Sequence, residues 1–185
     1  MKTIVFFILF FFYPSLFASD IFDKLGADTE ANYTGDFEEI KWQEELTAIP
    51  ALPDKDDLIV FSGVAAYPQY QYAIDEKTLS VGKKDNLVRF IVVISSSSGT
   101  ANSYYQGLSC SEKRIKTYAY AHSTSDKFVV YGSPVWQNLS GTGAMGYSKG
   151  LAEFYFCAFL GGALNKAEII NNLKYEKDES GLHYD

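Results

Sequence analysis

Short stretches rich in β-branched and aromatic residues recur between residues 58 and 135, separated by turn-forming residues. Such stretches are typical of β-strands. The connections between them are short, which favours antiparallel pairing, because parallel strands need crossovers of about a dozen residues or more. The pattern predicts a mostly antiparallel sheet of about six strands, at residues 58–64, 70–74, 87–95, 103–110, 114–121 and 128–135.

Two of these strands differ in how their side chains are distributed. In 87–95 apolar residues occupy nearly every position, so we expect this strand to be central and covered on both faces. In 114–121 two sets of residues alternate. One set is Ile115, Thr117, Ala119 and Ala121, and the other is Arg114, Lys116, Tyr118 and Tyr120. One face of that strand is therefore predicted to meet water.

The residues on either side of the predicted sheet indicate a strap and two helices. Two prolines in IPALPD, residues 49–54, disfavour helix, so this stretch is predicted to lie extended over the domain. Residues 150–160 have the apolar spacing of a helix and are followed by two glycines. Asn165 with Glu168 matches a capping box, which begins a second helix. We expect both helices to pack on the sheet, which makes the fold class α+β.

The pattern divides the chain into four parts. Residues 1–18 have a basic start, an apolar run and a small residue at the end, as secretory signal peptides have. The apolar run is shorter than the roughly 20 residues that a membrane helix needs. Residues 19–35 are predicted to be a flexible acidic linker. Residues 36–174 are predicted to form a single globular domain, and residues 175–185 a frayed tail.

The chain carries a formal net charge of −7, and Lys and Arg are not clustered in it. This charge disfavours binding to phosphate backbones and anionic lipids, so we expect no nucleic-acid partner. No cysteine lies near the predicted cleavage site, so lipid attachment has no acceptor there. We expect an exported, soluble, periplasmic protein without stable membrane insertion after the signal peptide is removed.

Cys110 and Cys157 are the only cysteines in the sequence. A metal site and a reactive thiol are alternatives, but His122 and His183 do not have ligand spacing with either cysteine. In an oxidising compartment the default interpretation is a disulfide between the two cysteines. We expect it to join the first predicted helix to the sheet, and we expect no metal ion or other cofactor.

Two serine-containing stretches resemble catalytic motifs. Residues 95–98 are four serines followed by turn-forming residues, which indicates a hairpin turn rather than a nucleophile. Residues 146–150 match G-x-S-x-G, and Asp178 and His183 follow in the order found in α/β-hydrolases. That motif requires a strand before the serine, where this chain has a glycine-rich loop. A hydrolase using Ser148 is therefore an alternative to a non-enzymatic protein.

Binding surfaces are enriched in aromatic residues and arginine, and the predicted strands carry many aromatic residues together with Arg89 and Arg114. The sequence contains 14 Tyr. We predict a candidate binding surface that consists of Arg89, Tyr104, Tyr105, Tyr118, Tyr120 and Trp136. For the two tryptophans, Trp42 and Trp136, a buried position is favoured over one at the rim of a surface.

Several segments of the chain together resemble one known family. Its central block corresponds to residues 88–90, the serine-rich loop closing on Gly99, and YQGLSC at 105–110. Earlier and later landmarks correspond to WQE at 42–44, IPALP at 49–53, Trp136, and YFC at 155–157. The chain resembles the cryptic neisserial plasmid protein-like proteins of bacterial envelopes. The resemblance implies export to the periplasm and a paired state of the two cysteines, and it implies no reaction.

The chain departs from the family pattern at two positions. An acidic and a basic residue are expected where this chain has Gln106 and Ser109, so a functional ion pair there does not carry over. The sequence predicts a non-enzymatic binding or envelope-assembly module. Besides the hydrolase, a further alternative is a soluble component of an envelope complex. Such a component would dock to another envelope protein through a tyrosine-rich strand face.

Overall fold

The structure is a computed structural model that describes residues 42–175 apart from 46, 63–66 and 68. The predicted signal peptide and acidic linker, and nearly all of the predicted tail, lie outside the described residues. The described residues belong to one compact unit that begins at Trp42. None of the described helices is long and apolar enough to cross a membrane.

An eight-stranded antiparallel sheet organises the described part of the chain. Its strands are β1 (Leu58–Phe61), β2 (Tyr70–Asp75), β3 (Ser80–Val81), β4 (Val88–Ser96), β5 (Ala101–Ser109), β6 (Arg114–Ala121), β7 (Val129–Val130) and β8 (Gln137–Asn138). Their order in the sheet is β1-β2-β4-β5-β6-β7, with β3 beside β4 and β8 beside β6. The predicted α+β class with an antiparallel sheet is confirmed.

The strand at 87–95 was predicted to be central, and β4 confirms it, because Val88–Val93 are all buried. The serines continue β4 as far as Ser96, and the predicted hairpin turn comes next, in which the N–H of Gly99 donates to the carbonyl of Ser96. The predicted strand at 128–135 is wrong in length, since only Val129–Val130 pair with β6. Beyond them Pro134 lacks the N–H that a continuing strand would donate.

The first predicted helix differs from the observed one in its bounds. Helix α1 (Tyr147–Gly150) continues as a π-helical segment, Leu151–Phe156, and therefore begins earlier than residue 150 and ends earlier than residue 160. It ends because Cys157 is extended and forms an antiparallel bridge with Ala163. The chain between them is a turn with Gly161 at a φ of +86°.

The second helix, α2 (Lys166–Lys174), begins with the predicted capping box. The side chain of Asn165 accepts from the N–H of Glu168 at 3.0 Å, and the Glu168 carboxylate accepts from the N–H of Asn165 at 2.9 Å. The predicted disulfide is also present, with the Cα atoms of Cys110 and Cys157 5.6 Å apart. It links the end of β5 to the end of the π-helical segment.

The sheet has a packed cluster on each face. On the helix side, the inward residues of β2, β4 and β5 pack against α1, the π-helical segment and α2; they include Ile74, Phe90, Val92, Leu108, Leu151, Phe156 and Ile169. On the other face, Ile91, Val93, Tyr105, Ala119 and Ala121 pack together. The strap, defined as residues 42–45 and 47–54, has no helix or strand, as predicted for 49–54. Its Ile49 and Leu52 pack against this second cluster, on what we call the strap side.

The predicted alternation along 114–121 is wrong, because a β-bulge interrupts β6. The register of β5 with β6 shifts between Tyr105 and Gln106. Ile115 therefore packs in the helix-side cluster, whereas Ala119 and Ala121 pack in the strap-side cluster. A bulge places one extra residue in a strand, so residues beyond it point to the opposite face.

Candidate functional site

The six residues of the predicted binding surface do not share one face. Tyr105 and Tyr118 pack on the strap side, and Arg89 lies there with them. Trp136 adjoins this group through Lys116, whose Nζ lies 5.1 Å from the centre of its ring. Tyr104 packs on the helix side. Tyr120 is paired with Tyr104 across the strands, and its ring contacts Tyr131 at 5.4 Å.

Arg89 is buried rather than displayed, with 2% of its surface exposed. Its guanidinium forms a two-pronged ion pair with Asp85, and its Nη2 also donates to the carbonyl of Glu45 at 2.8 Å. The N–H of Glu45 in turn donates to the Asp85 carboxylate at 2.8 Å. Trp42 Nε1 donates to the main-chain carbonyl of Asp85 at 3.1 Å. The ion pair therefore attaches the strap to the sheet.

The hydrogen bonds around Asp85 control its charge. Burial by itself raises the pKa of the Asp85 carboxyl, but hydrogen bonds from Arg89 and from the N–H groups of Glu45 and Leu87 outweigh it, and the pKa lies below its usual value. Gly82 leaves the space for this group, because a Cβ there would lie 1.9 Å from Asp85 Oδ1. The pair is charged at neutral pH and closed to ligands.

A second polar group on the strap side surrounds Glu44. Its carboxylate accepts from Lys116 Nζ and from the Tyr118 hydroxyl, each at 2.7 Å. Burial, and then the bond to Glu44, raise the pKa of Tyr118 well above its usual value, so its hydroxyl stays protonated and donates. Trp42 is 49% exposed and meets the edge of Trp136, so the predicted buried position for Trp42 is wrong. The strap lies on this face, where Glu44 is bonded to both Lys116 and Tyr118.

The helix side of the sheet carries an open cleft of about 840 Å³, which we call the tyrosine cleft. Its volume is in the range of small-molecule sites. Its described lining is Tyr67, Gln69, Tyr70, Tyr72, Ile94, Ser96, Thr100, Asn102, Tyr104, Thr117, Tyr131, Ser133, Pro134, Val135, Gln137, Ala144, Met145 and Tyr147. Six of these residues are tyrosines, and none of them carries a formal charge at neutral pH. This makes the cleft unusual in a chain with a net charge of −7.

The floor of the tyrosine cleft is formed by side chains of adjacent strands. Tyr72 of β2 pairs with Ile94 of β4, which pairs with Asn102 of β5, so these side chains form one row across the sheet. Tyr70 and Ser96 form the next row. Tyr67 and Gln69, just before β2, line one flank of the cleft, and Ser133, Pro134 and Val135, after β7, line the other.

A buried hydrogen-bond chain holds the inner end of the cleft. The Tyr147 hydroxyl donates to Gln106 Oε1 at 3.0 Å, and Gln106 Nε2 donates to Thr117 Oγ1 at 3.0 Å. Tyr147 and Gln106 are almost completely buried, and the ring of Tyr147 packs against Tyr72 at 5.5 Å. Because every member has a partner and is packed, this end of the cleft is rigid before any ligand arrives.

Other tyrosine hydroxyls in the cleft are free to bind a ligand. Those of Tyr70, Tyr72, Tyr104 and Tyr131 make no hydrogen bond to any residue that the structure describes. Tyr72 is one of the lining residues of the cleft, although it is only 3% exposed. Burial raises the pKa of Tyr72 and of Tyr104, so both hydroxyls stay neutral and can donate as well as accept.

Ser148, the serine of the G-x-S-x-G match, has no exposed surface. Its hydroxyl donates to the Ser140 carbonyl at 3.3 Å and accepts from the Ser140 N–H at 3.1 Å. The residues before it, Gly143–Met145, form a 3₁₀ turn and not a strand. This hydroxyl holds a loop against the start of α1, and it is not presented to a substrate. Asp178 and His183 lie outside the described residues.

A second cleft, of about 910 Å³, lies beside the disulfide. Charged side chains of both signs line it, and two of them, Lys149 and Glu153, pair with each other at 3.7 Å. No group of His, Cys, Asp and Glu that could hold a metal ion occurs among the described residues. Among the described residues, the tyrosine cleft joins an uncharged lining and a packed inner end to tyrosine hydroxyls without a hydrogen-bond partner, and we take it as the candidate functional site.

Most of the tyrosine cleft was missed by sequence reasoning, which named only Tyr104 among its tyrosines. The period-two spacing of Tyr70 and Tyr72 was a usable signal, because it places both rings on one face of β2. Tyr131 and Tyr147 carried no such signal, since one follows a two-residue strand and the other begins a helix.

Comparisons with known proteins agree with the resemblance of the central block. The CNP1-like family, that of the cryptic neisserial plasmid protein-like proteins, matches residues 37–174 through its sequence model. No curated protein and no solved structure matches the chain significantly. The family match spans most of the sequence, including the strap, all eight strands and both helices. The chain therefore belongs to the CNP1-like family.

Proposed function

We propose that this protein is an exported periplasmic module that binds an uncharged ligand in the tyrosine cleft without catalysing a reaction. The observation that carries the proposal is the set of unpaired hydroxyls, including those of Tyr72 and Tyr104, in a cleft whose described lining has no charge. When a ligand supplies a hydrogen-bond partner to a hydroxyl that has none in a packed site, the new hydrogen bond favours binding. Neutral tyrosines at neutral pH are suited to binding and not to nucleophilic attack.

Two observations support export. The apolar run near the start of the sequence has the pattern of a secretory signal. The Cys110–Cys157 disulfide is of the kind that persists in oxidising compartments. The acidic net charge supports a partner that is neither nucleic acid nor anionic lipid. The protein then acts as a soluble component of the periplasm.

Nuclear magnetic resonance of protein with labelled tyrosine rings tests the binding role. The probes are a fixed panel of uncharged phenyl glycosides and blocked dipeptide amides, with acetate and phosphate as charged comparisons. At least one uncharged probe is expected to shift the signals of Tyr104 and Tyr131. Tyr131→Ala is expected to weaken that binding about two- to tenfold, because one aromatic contact contributes about 0.5–1.5 kcal/mol.

Tyr175→Ala is the matched control, since Tyr175 is 62% exposed and Tyr131 is 48% exposed, but only Tyr131 lines the cleft. This control is expected to leave binding unchanged. Signals of Tyr175 that move as much as those of the cleft, or charged probes that bind as well as uncharged ones, would count against the proposal.

A second candidate function is docking to another envelope protein. It is favoured by β7, whose Val129 and Val130 are 48% and 61% exposed at the end of the described strand order, next to Tyr131. Exposed apolar edge strands pair readily with other chains. A photoreactive residue placed at Val130 should then form one discrete protein adduct in the periplasm, and one placed at Tyr175 should form none. If neither position gives an adduct, docking through this edge is excluded.

A further inference from the structure

We propose that the ligand of the tyrosine cleft is a short uncharged oligosaccharide. This inference rests on the proposed binding function and adds the chemical class of the ligand. A sugar ring has two kinds of surface, a face of C–H groups and a rim of hydroxyls. The described lining of the cleft supplies both complementary surfaces, in aromatic rings and in neutral hydrogen-bonding groups.

The rings are placed to hold a sugar from two sides. Tyr70 on β2 and Tyr131 after β7 are 40% and 48% exposed, so both rings are accessible at the two flanks of the cleft. The face of an aromatic ring carries partial negative charge and attracts the weakly positive C–H groups of a sugar. Tyr70 is held by an edge-on contact with Tyr67 at 6.2 Å, and Tyr131 by one with Tyr120 at 5.4 Å. Both rings are thus oriented before binding.

The polar groups of the floor fit the rim of a sugar. Tyr72 and Tyr104 offer hydroxyls that make no hydrogen bond to a described residue, and each can donate and accept as a sugar hydroxyl does. Asn102 uses only its oxygen, which lies 3.3 Å from His122 Nδ1, so its amide N–H groups remain available. Gln137 adds a second exposed amide at the wall. An amide and adjacent hydroxyls can pair with neighbouring hydroxyls of one ring.

Other ligand classes fit this lining less well. A carboxylate or phosphate would find no cation among the described lining residues. An acyl chain would bury the hydroxyls of Tyr72 and Tyr104 without partners, and each such loss is unfavourable. An extended peptide needs main-chain partners, but the floor strands β2, β4 and β5 already pair with neighbours on both sides. A neutral polyhydroxylated ligand meets none of these obstacles.

Isothermal titration calorimetry, which measures the affinity of the purified protein for each of four probes, tests the inference. The probes are maltohexaose, cellohexaose, chitohexaose and a blocked, uncharged hexapeptide of proline and glycine. Binding of at least one oligosaccharide is expected, with loss of about tenfold or more in affinity for the Tyr70→Ala/Tyr131→Ala double variant. Tyr72→Phe keeps the ring and removes only the hydroxyl, and it is expected to weaken binding severalfold while the thermal unfolding midpoint stays within the range of the unmodified protein.

The outcomes separate the two proposals. Binding of chitohexaose alone assigns N-acetylated sugars, and binding of the glucose polymers alone assigns plain hexoses; either result supports the inference. If the peptide binds in the cleft and no oligosaccharide does, the ligand class is wrong while the binding function stands. If the panel of small probes shifts no cleft tyrosine and none of the four larger probes binds, both proposals fail. Binding that the Tyr70 and Tyr131 substitutions leave unchanged overturns the inference, because the sugar then lies elsewhere.

Discussion

The guanidinium of Arg89 lies in the interior of the sheet, where its side chain is 2% exposed and that of Asp85 is fully buried. A buried charge without a partner is strongly destabilising, whereas a hydrogen-bonded pair is tolerated. Asp85 and the main chain of Glu45 supply the partners, and only Nε of Arg89 lacks one among the buried groups described. The pair acts as the attachment point of the strap.

Asp85→Asn is expected to lower the free energy of unfolding at pH 7 by about 3–5 kcal/mol, the usual cost of breaking a buried pair. The folded pKa of Asp85 lies below its unfolded value. Its ionised form therefore stabilises the fold above the unfolded pKa of about 4, and this contribution is lost as pH falls through the folded pKa. Urea unfolding at pH 7 and at pH 3 measures this effect. The free energies of unfolding of the unmodified protein and of the variant should differ less at pH 3 than at pH 7.

Asp57→Asn is the matched control, because Asp57 forms an ion pair with Lys77 that is open to solvent. Exposed pairs contribute little, so this change is expected to cost less than about 1 kcal/mol at either pH. If Asp85→Asn lowers the free energy of unfolding by the same amount at both pH values, the role assigned to the Asp85 carboxylate is contradicted.

The positions of Gln106 and Ser109 on β5 decide whether their side chains can contact each other. They lie three apart on a regular part of β5, so their side chains point to opposite faces. Gln106 joins the chain from Tyr147 to Thr117, while Ser109 Oγ accepts from the N–H of Glu112 at 3.2 Å. An acidic and a basic residue at these two positions would not pair with each other directly in this fold.

The bulge in β6 is the element that reassigns side chains between the two faces. Without it, Ala119 and Ala121 would face the helices together with Ile115. The bulge instead directs the small alanines to the strap side and lets the ring of Tyr118 lie over Gly107. A Cβ at Gly107 would be 2.3 Å from the Tyr118 hydroxyl oxygen, so a larger residue there would displace this ring. Alternation in the sequence does not reveal a bulge, because the inserted residue looks like any other strand residue.

The helices show which boundaries follow from local signals. The start of α2 was predictable because Asn165 and Glu168 satisfy the free N–H groups of the first turn by themselves. The end of the π-helical segment was not, because it depends on the bridge between Cys157 and Ala163. Phe159 and Leu160 continue the apolar pattern of the predicted helix, yet they are almost fully exposed in the turn after it.

The disulfide joins the sheet to the helical layer, so it contributes to the stability of the whole fold. The free energy of unfolding of the Cys110→Ala/Cys157→Ala variant is expected to be about 4 kcal/mol lower. Without the disulfide, whose cysteines have a sequence separation of 47, the unfolded chain gains conformational entropy because its loop is no longer closed. Urea unfolding followed by circular dichroism measures the change. The folded variant is expected to keep the same secondary structure, because the strands and helices on both faces remain packed.

Reduced protein provides a control with no change of sequence. Unfolding in a strong thiol reductant should match that of the double variant. Oxidised and reduced protein that unfold at the same urea concentration would show that the link does not stabilise the fold. Reduction is expected to leave oligosaccharide binding in place under native conditions, since neither cysteine lines the tyrosine cleft.

Several features of this protein follow from its sequence alone because each depends on residues close together or on a simple count. The strands follow from β-branched and aromatic runs, the strap from the prolines at 49–54, the start of α2 from its capping box, and the disulfide from two cysteines without competitors. The tyrosine cleft and the burial of Arg89 depend instead on which distant segments meet. Tyr72, Tyr131 and Tyr147 come from a strand, a loop and a helix, and only the packing of these elements on one sheet face places their rings around the same space.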